Sequence, residues 1–402
     1  MTVEQLVAEG RAGSGAAAPA QPKHVPELDG VRGVAILGVM VLHFVGGLNA
    51  QNFAERALVK LSTYGVWGVD LFFVLSGFLI TGILHDAKGS PHYFRNFYAR
   101  RTLRIFPLYY AVLLILMLLP AAALADWFPG LGETQRVQGY LWTYLTNFYI
   151  GSTGGFTVPY VSHFWSLAVE EHFYLFWPFV IGTLSLSAGK RMCLLLSSVA
   201  LALRIAVSWS TPEALQAVVW TPCRLDALCC GAWFALALRT PGQREHIQSW
   251  CRRLVPGAGL FIVLLSGFHA LSVQADAVVL PLRGSALALW FGACIVALTS
   301  EATPRVVRQA FRGSWLVVLG KYSYGLYVFH GIVAYCMHQQ HWESRFTALL
   351  GSHVLGGAAV TVAGFGLSFA IAYASFEWFE RPVLKLKRYF EYRSERKPLT
   401  AS

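Results

Sequence analysis

The sequence predicts an all-α protein, a polytopic transmembrane bundle of about ten helices with both termini on the cytoplasmic side. Three observations lead there. The 402 residues are 55% hydrophobic and only 13% charged, with a mean hydropathy of +0.50, whereas soluble domains carry roughly 25% charged residues. Apolar stretches close to the length a bilayer crossing needs recur along the whole chain. The basic residues, which set a net charge of +11, fall in short segments between those stretches, the distribution produced by the positive-inside rule. No compact basic domain is left over, so nucleic acid is not an expected partner.

Taken in order, residues 1–26 are expected to form a disordered cytoplasmic tail. They are rich in Ala, Gly and Pro and lack the apolar core of a signal peptide. Ten candidate spans follow, at 31–49, 64–84, 105–125, 163–187, 191–210, 217–238, 254–273, 279–299, 315–338 and 353–378. The stretch 137–150, VQGYLWTYLTNFYI, is short and aromatic and reads as an interfacial or re-entrant helix, because Trp and Tyr favour that layer. If it does not cross, the basic segments at 85–104, 190–191, 239–253, 305–312 and from Arg381 onward all fall on one side of the membrane. The membrane domain then spans 27–385, and 386–402 is a basic cytoplasmic tail. The seven cysteines lie mostly within apolar runs and form neither CxxC nor a Cys/His zinc spacing, so they read as small buried side chains and no metal site is expected.

The first span, ELDGVRGVAILGVMVLHF (27–44), carries an arginine and a histidine. Arg32 and His43 are eleven residues apart, about 1100° of helical rotation and roughly 20° from three full turns, so both lie on one face, about 16 Å apart along the axis. Taken alone, Arg32 could be a snorkelling anchor and His43 a packing histidine. Ionisable groups within the hydrocarbon are costly and tend to be functional, and neutral histidine is the natural general base near pH 7. Gly30, Gly33 and Gly38 read as packing residues that let another backbone approach.

These residues carry a family resemblance. L-D-G-x-R followed by a histidine eleven residues after the arginine resembles the opening signature of the acyltransferase-3 family. GVDLFFVLSGFLIT (68–81), ARRTLRIFPLYY (99–110), FWSLAVEEHFYLFWP (164–178), YSYGLYVFHG (322–331) and FERPV (379–383) are similar to the family's later motifs, in order, over about residues 27 to 385. The resemblance implies transfer of an acyl group, often acetyl, from acyl-CoA to a hydroxyl of a glycan, a lipid-linked saccharide or a macrolide-like natural product. It implies a multi-pass protein of the cell inner (plasma) membrane, with acyl-CoA as donor substrate and no permanently bound cofactor. Some members carry a hydrolase-like domain after the bundle; with about twenty residues after the last span, none is expected here.

On this reading His43, Arg32 and Glu170 are the catalytic candidates, and Arg101, Arg104 and Arg32 are the acyl-CoA-binding ones. Arg101 and Arg104 sit three apart on what reads as a helix start and point the same way, with forked donors suited to phosphate. Plain topology-setting charge is the alternative, and Arg95 and Arg100 add to the field. Glu170 lies about 12 Å inside its span and His43 about 9 Å inside its own, so Glu170 is expected to pair with His43, directly or indirectly, unless it forms a structural ion pair instead. Asp29 is expected to neutralise Arg32. Ser76, Gly77, Glu171 and Tyr174 are tunnel-lining or supporting candidates. Ser76 has no base near it in sequence and no G-x-S-x-G elbow, which argues against a nucleophile. Asp70 reads as a helix cap, and Tyr322, Tyr324, Tyr327 and His330 as interfacial or packing aromatics. Trp127, Trp142, Tyr144, Tyr149 and Tyr160 suit either sugar stacking or a membrane interface. The competing class is a transporter or flippase for a glycoconjugate, but neither matched halves nor paired broken helices are evident.

Overall fold

The computed structural model describes residues 25–210, 214–269 and 276–392. The expected N-terminal tail therefore falls, up to residue 24, outside the described residues, as does the tail from 393 onward. Among the described residues there is no strand. The long helices are α1 (Pro26–Val45), α2 (Trp67–Asp86), α3 (Tyr93–Leu118), α4 (Trp165–Thr183), α5 (Leu186–Ser210), α6 (Thr221–Ala237), α7 (Arg244–His269), α8 (Asp276–Leu298), α9 (Ser314–Gln339) and α10 (His353–Ser375). Each overlaps one of the ten apolar stretches. Seven helical segments are long and apolar enough to cross a membrane by length and composition. The protein is thus a polytopic helical membrane bundle. The segments that fall short are α4, α6 and α7; α4 carries Glu170 and Glu171 and α6 carries Arg224 and Asp226 within their apolar runs.

The centre of the bundle is made by backbone contact. A Cβ added at Gly33 of α1 would stand 2.2 Å from the Leu316 carbonyl oxygen of α9, and one at Gly320 of α9 would stand 2.0 Å from the Asp29 oxygen of α1. The same device joins α2 to α6, where a Cβ at Gly77 would lie 1.9 Å from the Leu228 oxygen and one at Gly231 1.9 Å from the Val74 oxygen. Small residues allow this approach where lipid supplies no hydrophobic drive between helices. Gly77 is therefore a packing residue. Gly77→Val is expected to destabilise the bundle by about 3 kcal/mol, since neither backbone can yield; loss of a monodisperse peak from detergent-solubilised protein would register it.

Two buried ion pairs stitch α2, α5, α6 and α8 together. Arg224 of α6 binds Asp70 of α2, and Arg204 of α5 binds Asp226 of α6, with Ser285 of α8 donating to Asp226 at 2.7 Å. Asp70 is thus not a cap. It lies inside α2, and its carboxylate is taken by a cation that nothing in its own segment announces.

Three further expectations change. First, Arg101 and Arg104 do not stand at a helix start, because α3 begins at Tyr93. Its polar first turns are held by Tyr93 and Tyr98 hydroxyls that donate to the Pro178 and Leu175 carbonyls of α4, at 3.2 and 2.6 Å. Second, the 137–150 stretch is two short helices, Gln138–Trp142 and Thr146–Thr153, separated at Tyr144, whose φ of 58° breaks the helix. Tyr144 and Tyr160 are buried and Trp142 stacks on Tyr110. Of the aromatics considered for sugar stacking, Trp127 is the one with most of its surface free, 70% exposed. Third, the chain after α10 does not run straight into a tail. Lys385–Phe390 forms a 3₁₀ turn laid back on α3, where Arg100 donates to the Lys387 carbonyl at 3.1 Å and Asn96 to the Glu391 carbonyl at 3.0 Å.

Candidate active site

A cavity of about 160 Å³ opens among α1, α2, α3, α4 and α9. Helical spacing alone explains which side chains reach it. On α4, Ser166, Glu170 and Tyr174 recur every fourth residue on one face; on α3, Arg101 and Arg104 are three apart, as are Tyr324 and Tyr327 on α9. Arg32 of α1, Ser76 of α2 and Ser323 of α9 complete the polar lining, with Phe72, Phe73 and Leu79 among the apolar walls.

Three guanidinium groups converge here. Arg32 pairs with Asp29 one turn earlier. Arg101 lies over the Tyr174 ring at 5.1 Å and Arg104 over Tyr324 at 5.9 Å, cations held against aromatic faces of the cavity wall. Glu380 faces Arg104. A further cation that sequence reasoning missed is Lys387 on the 3₁₀ turn, whose charged neighbours are Arg104, Arg101 and Arg100. Arg100 itself is spent on holding that turn, and Arg95 lies over the turn's Phe390 ring at 5.9 Å, so both act on the fold first.

Deeper in the cavity, Ser76 and Tyr174 share a hydrogen bond, and the Glu170 carboxyl stands beside both and faces Arg101. Ser76 has no base near it in sequence, but in space Glu170 is adjacent. Glu171 points elsewhere: it is absent from the cavity wall, and its Oε1 is buried with no hydrogen-bond partner among the described residues. His172, one residue on, is committed to Thr221 at 2.6 Å.

His43 lies apart from this cluster. Its Nδ1 is 2.9 Å from the Val39 carbonyl; a carbonyl only accepts, so Nδ1 carries the proton and the neutral ring keeps a lone pair on Nε2. Its ring packs edge-on against His330 at 4.8 Å. The expected Glu170–His43 pair is therefore not formed, because His330 occupies the place beside His43 and Glu170 is held by Ser76, Tyr174 and Arg101. Arg32 lines the cavity and His43 does not. Tyr327 lines the cavity and its ring stands 5.5 Å from that of His330, so one layer of side chains links the cavity wall to the His43 neighbour. Tyr327 is fixed by Ser166 and by donating to the His163 carbonyl at 3.0 Å. Of the α9 aromatics, Tyr324 and Tyr327 are thus cavity walls, whereas Tyr322 packs on Phe369, Tyr373 and Phe376 and His330 on His43 and His163. The three-residue spacing of Tyr324 and Tyr327 was legible, but nothing in the sequence said which helix they would meet.

Comparison with known proteins places the chain in a family. The acyltransferase-3 family model, described as an acyltransferase domain, matches residues 25–377. A Staphylococcus aureus (strain COL) protein named "Putative O-acetyltransferase" is 26% identical over 339 residues, 80% of this chain and 53% of that protein. The O-acetyltransferase OatA of Staphylococcus aureus (strain NCTC 8325 / PS 47) is 26% identical over 330 residues, covering 77% of this chain and 50% of its own. The chain thus spans about half the length of the curated relatives it matches. No solved structure matches it.

Proposed function

Because the chain belongs to the acyltransferase-3 family, we propose that it is an integral membrane O-acyltransferase that moves an acyl group, acetyl by preference, from acyl-CoA to a hydroxyl of a carbohydrate or other natural-product acceptor at the plasma membrane. The observation that carries this reading is the convergence of Arg32, Arg101 and Arg104 on one cavity inside a helical membrane bundle. Asp29, Glu170 and Glu380 each face one of these guanidinium groups, and Lys387 adds a cation beyond those pairs; ionisable groups gathered on a cavity inside a bundle mark a path for a charged substrate, and a nucleotide thioester with several phosphates is one. The basic segments between the helices favour the cytosolic side for that mouth.

In this mechanism Arg101 and Arg104 hold donor phosphates, and Arg32, steadied by Asp29, extends the cationic wall. Lys387 lends a fourth charge. The thioester arm runs past Ser76, Tyr174 and Glu170 towards Tyr327. His43 Nε2 takes the proton from the acceptor hydroxyl as its oxygen attacks the thioester carbonyl, and CoA leaves as the thiolate. Glu170 orients Ser76 and Tyr174 and balances Arg101.

The test is transfer itself. Purified protein in nanodiscs, given acetyl-CoA labelled in its acetyl group and a membrane extract as acceptor, is expected to release CoA and place label in the hydroxyl-bearing glycan or glycolipid fraction. Intact thioester and no labelled product with any fraction would overturn the reading. Within the same assay, Lys387→Ala is expected to raise the KM for acetyl-CoA about threefold to tenfold with kcat little changed, since one partly exposed charged contact contributes about 1 kcal/mol.

A further inference from the structure

His330 is 0% exposed. Its Nδ1 faces two carbonyls of its own helix, Leu326 at 3.0 Å and Tyr327 at 2.8 Å. Both can only accept, so Nδ1 carries the proton and Nε2 is a lone-pair acceptor. That Nε2 is buried with no hydrogen-bond partner among the described residues, a state that costs about 1–3 kcal/mol and calls for a reason. The His330 ring lies 4.8 Å from His43 and 4.8 Å from His163. The His163 Nε2 is itself committed to the Val328 carbonyl at 3.2 Å.

The titratable groups facing His330 are His43 from α1, His163 from the turn before α4, and Tyr327 from its own helix. No carboxylate is among them. The usual partner of a catalytic histidine, an acid that steadies the imidazolium, is missing beside His43. What stands there is a second imidazole with a vacant acceptor. Two neutral rings that both present Nε2 lone pairs cannot bond to each other. A single proton arriving on either one turns the pair into donor and acceptor, on rings whose centroids are 4.8 Å apart.

We infer that His330 is a positioning residue for acyl transfer, sharing through its vacant Nε2 the proton that His43 takes from the acceptor. This rests on His43 being the base. The proton leaves the acceptor hydroxyl as the O–C bond forms and the C–S bond breaks. It is carried on His43 Nε2 while the bond pair departs on sulfur, with the His330 lone pair steadying the imidazolium beside it, and it then passes to the CoA thiolate, giving free CoA thiol.

The experiment compares kcat–pH profiles of the full-length protein with His330→Asn and His330→Gln. Asparagine keeps an amide where Nδ1 stood and can still donate to the Leu326 and Tyr327 carbonyls, but has nothing at Nε2. The expected result for His330→Asn is a kcat lower by at least about tenfold, an acid limb moved to lower pH by about one unit, and an unchanged KM for acetyl-CoA. His330→Gln, which places an amide oxygen near Nε2, is expected to recover part of the rate. A wild-type kcat and limb in His330→Asn would overturn the inference, as would a fall in rate at unshifted pH dependence with a lowered melting temperature, which marks a structural role. His43→Ala run alongside separates the two failures. If it retains activity, the base assignment fails. If it is inactive while His330→Asn matches wild type, only the role of His330 fails.

Discussion

His43→Ala is expected to lower kcat by about 10²- to 10⁴-fold, the span associated with removing a positioned general base, while the KM for acetyl-CoA changes little. The reason is geometric. The Val39 carbonyl holds the proton on Nδ1, so Nε2 is the basic atom, and no carboxylate stands beside it to take over. Glu170 is the nearest alternative in chemical type, but it faces Arg101 and bonds within the Ser76–Tyr174 pair. The pH dependence follows in sign. Only the neutral imidazole accepts a proton, so wild-type kcat should fall about tenfold per pH unit on the acid side of its titration and level off above it. Single-turnover release of CoA, measured with verified folding by thermal melt, checks both statements. Residual activity within tenfold of wild type would remove His43 from the chemistry.

Arg104→Ala and Arg101→Ala should each raise the KM for acetyl-CoA by about 10- to 100-fold, because a hydrogen bond to a charged group contributes about 1.5–3 kcal/mol. The two arginines lie on one face of α3 and each stacks on a tyrosine of the cavity wall, which pre-orients the guanidinium plane and makes lysine a poor substitute. The control is a truncated acetyl thioester that lacks the nucleotide and its phosphates. Its KM should be high for wild type and nearly the same for both variants. If the variants discriminate equally between acetyl-CoA and the truncated thioester, as wild type does, these arginines do not bind phosphate. Arg101→Ala should also depress kcat, since it leaves Glu170 facing Ser76 and Tyr174 without its cation, whereas Arg104→Ala should act on KM alone.

The ten long helices were legible because each apolar stretch must bury its backbone polar groups internally, and in lipid a helix does so without reference to any other segment. The same logic placed Arg32 and His43 on one face of α1. It missed the first turns of α3, which are helical through tyrosine contacts to α4 and not through apolar composition, and it read 137–150 as one helix where Tyr144 reverses the backbone. Lys387 was invisible because its value lies in the turn that lays it over α3. The depth argument that joined Glu170 to His43 failed for a simple reason: equal depth says nothing about azimuth, and α9 stands between.

What the sequence determined by itself was the class of molecule, the approximate places of its long helices and the family, because hydropathy and the 3.6-residue period act within one segment. Tertiary structure alone decided the partners: Glu170 with Ser76 and Tyr174, His43 with His330, Asp70 with Arg224. Those choices depend on how each helix is rotated about its axis, and rotation is set by the glycine contacts of α1 with α9 and α2 with α6, where two distant stretches of chain meet backbone to backbone.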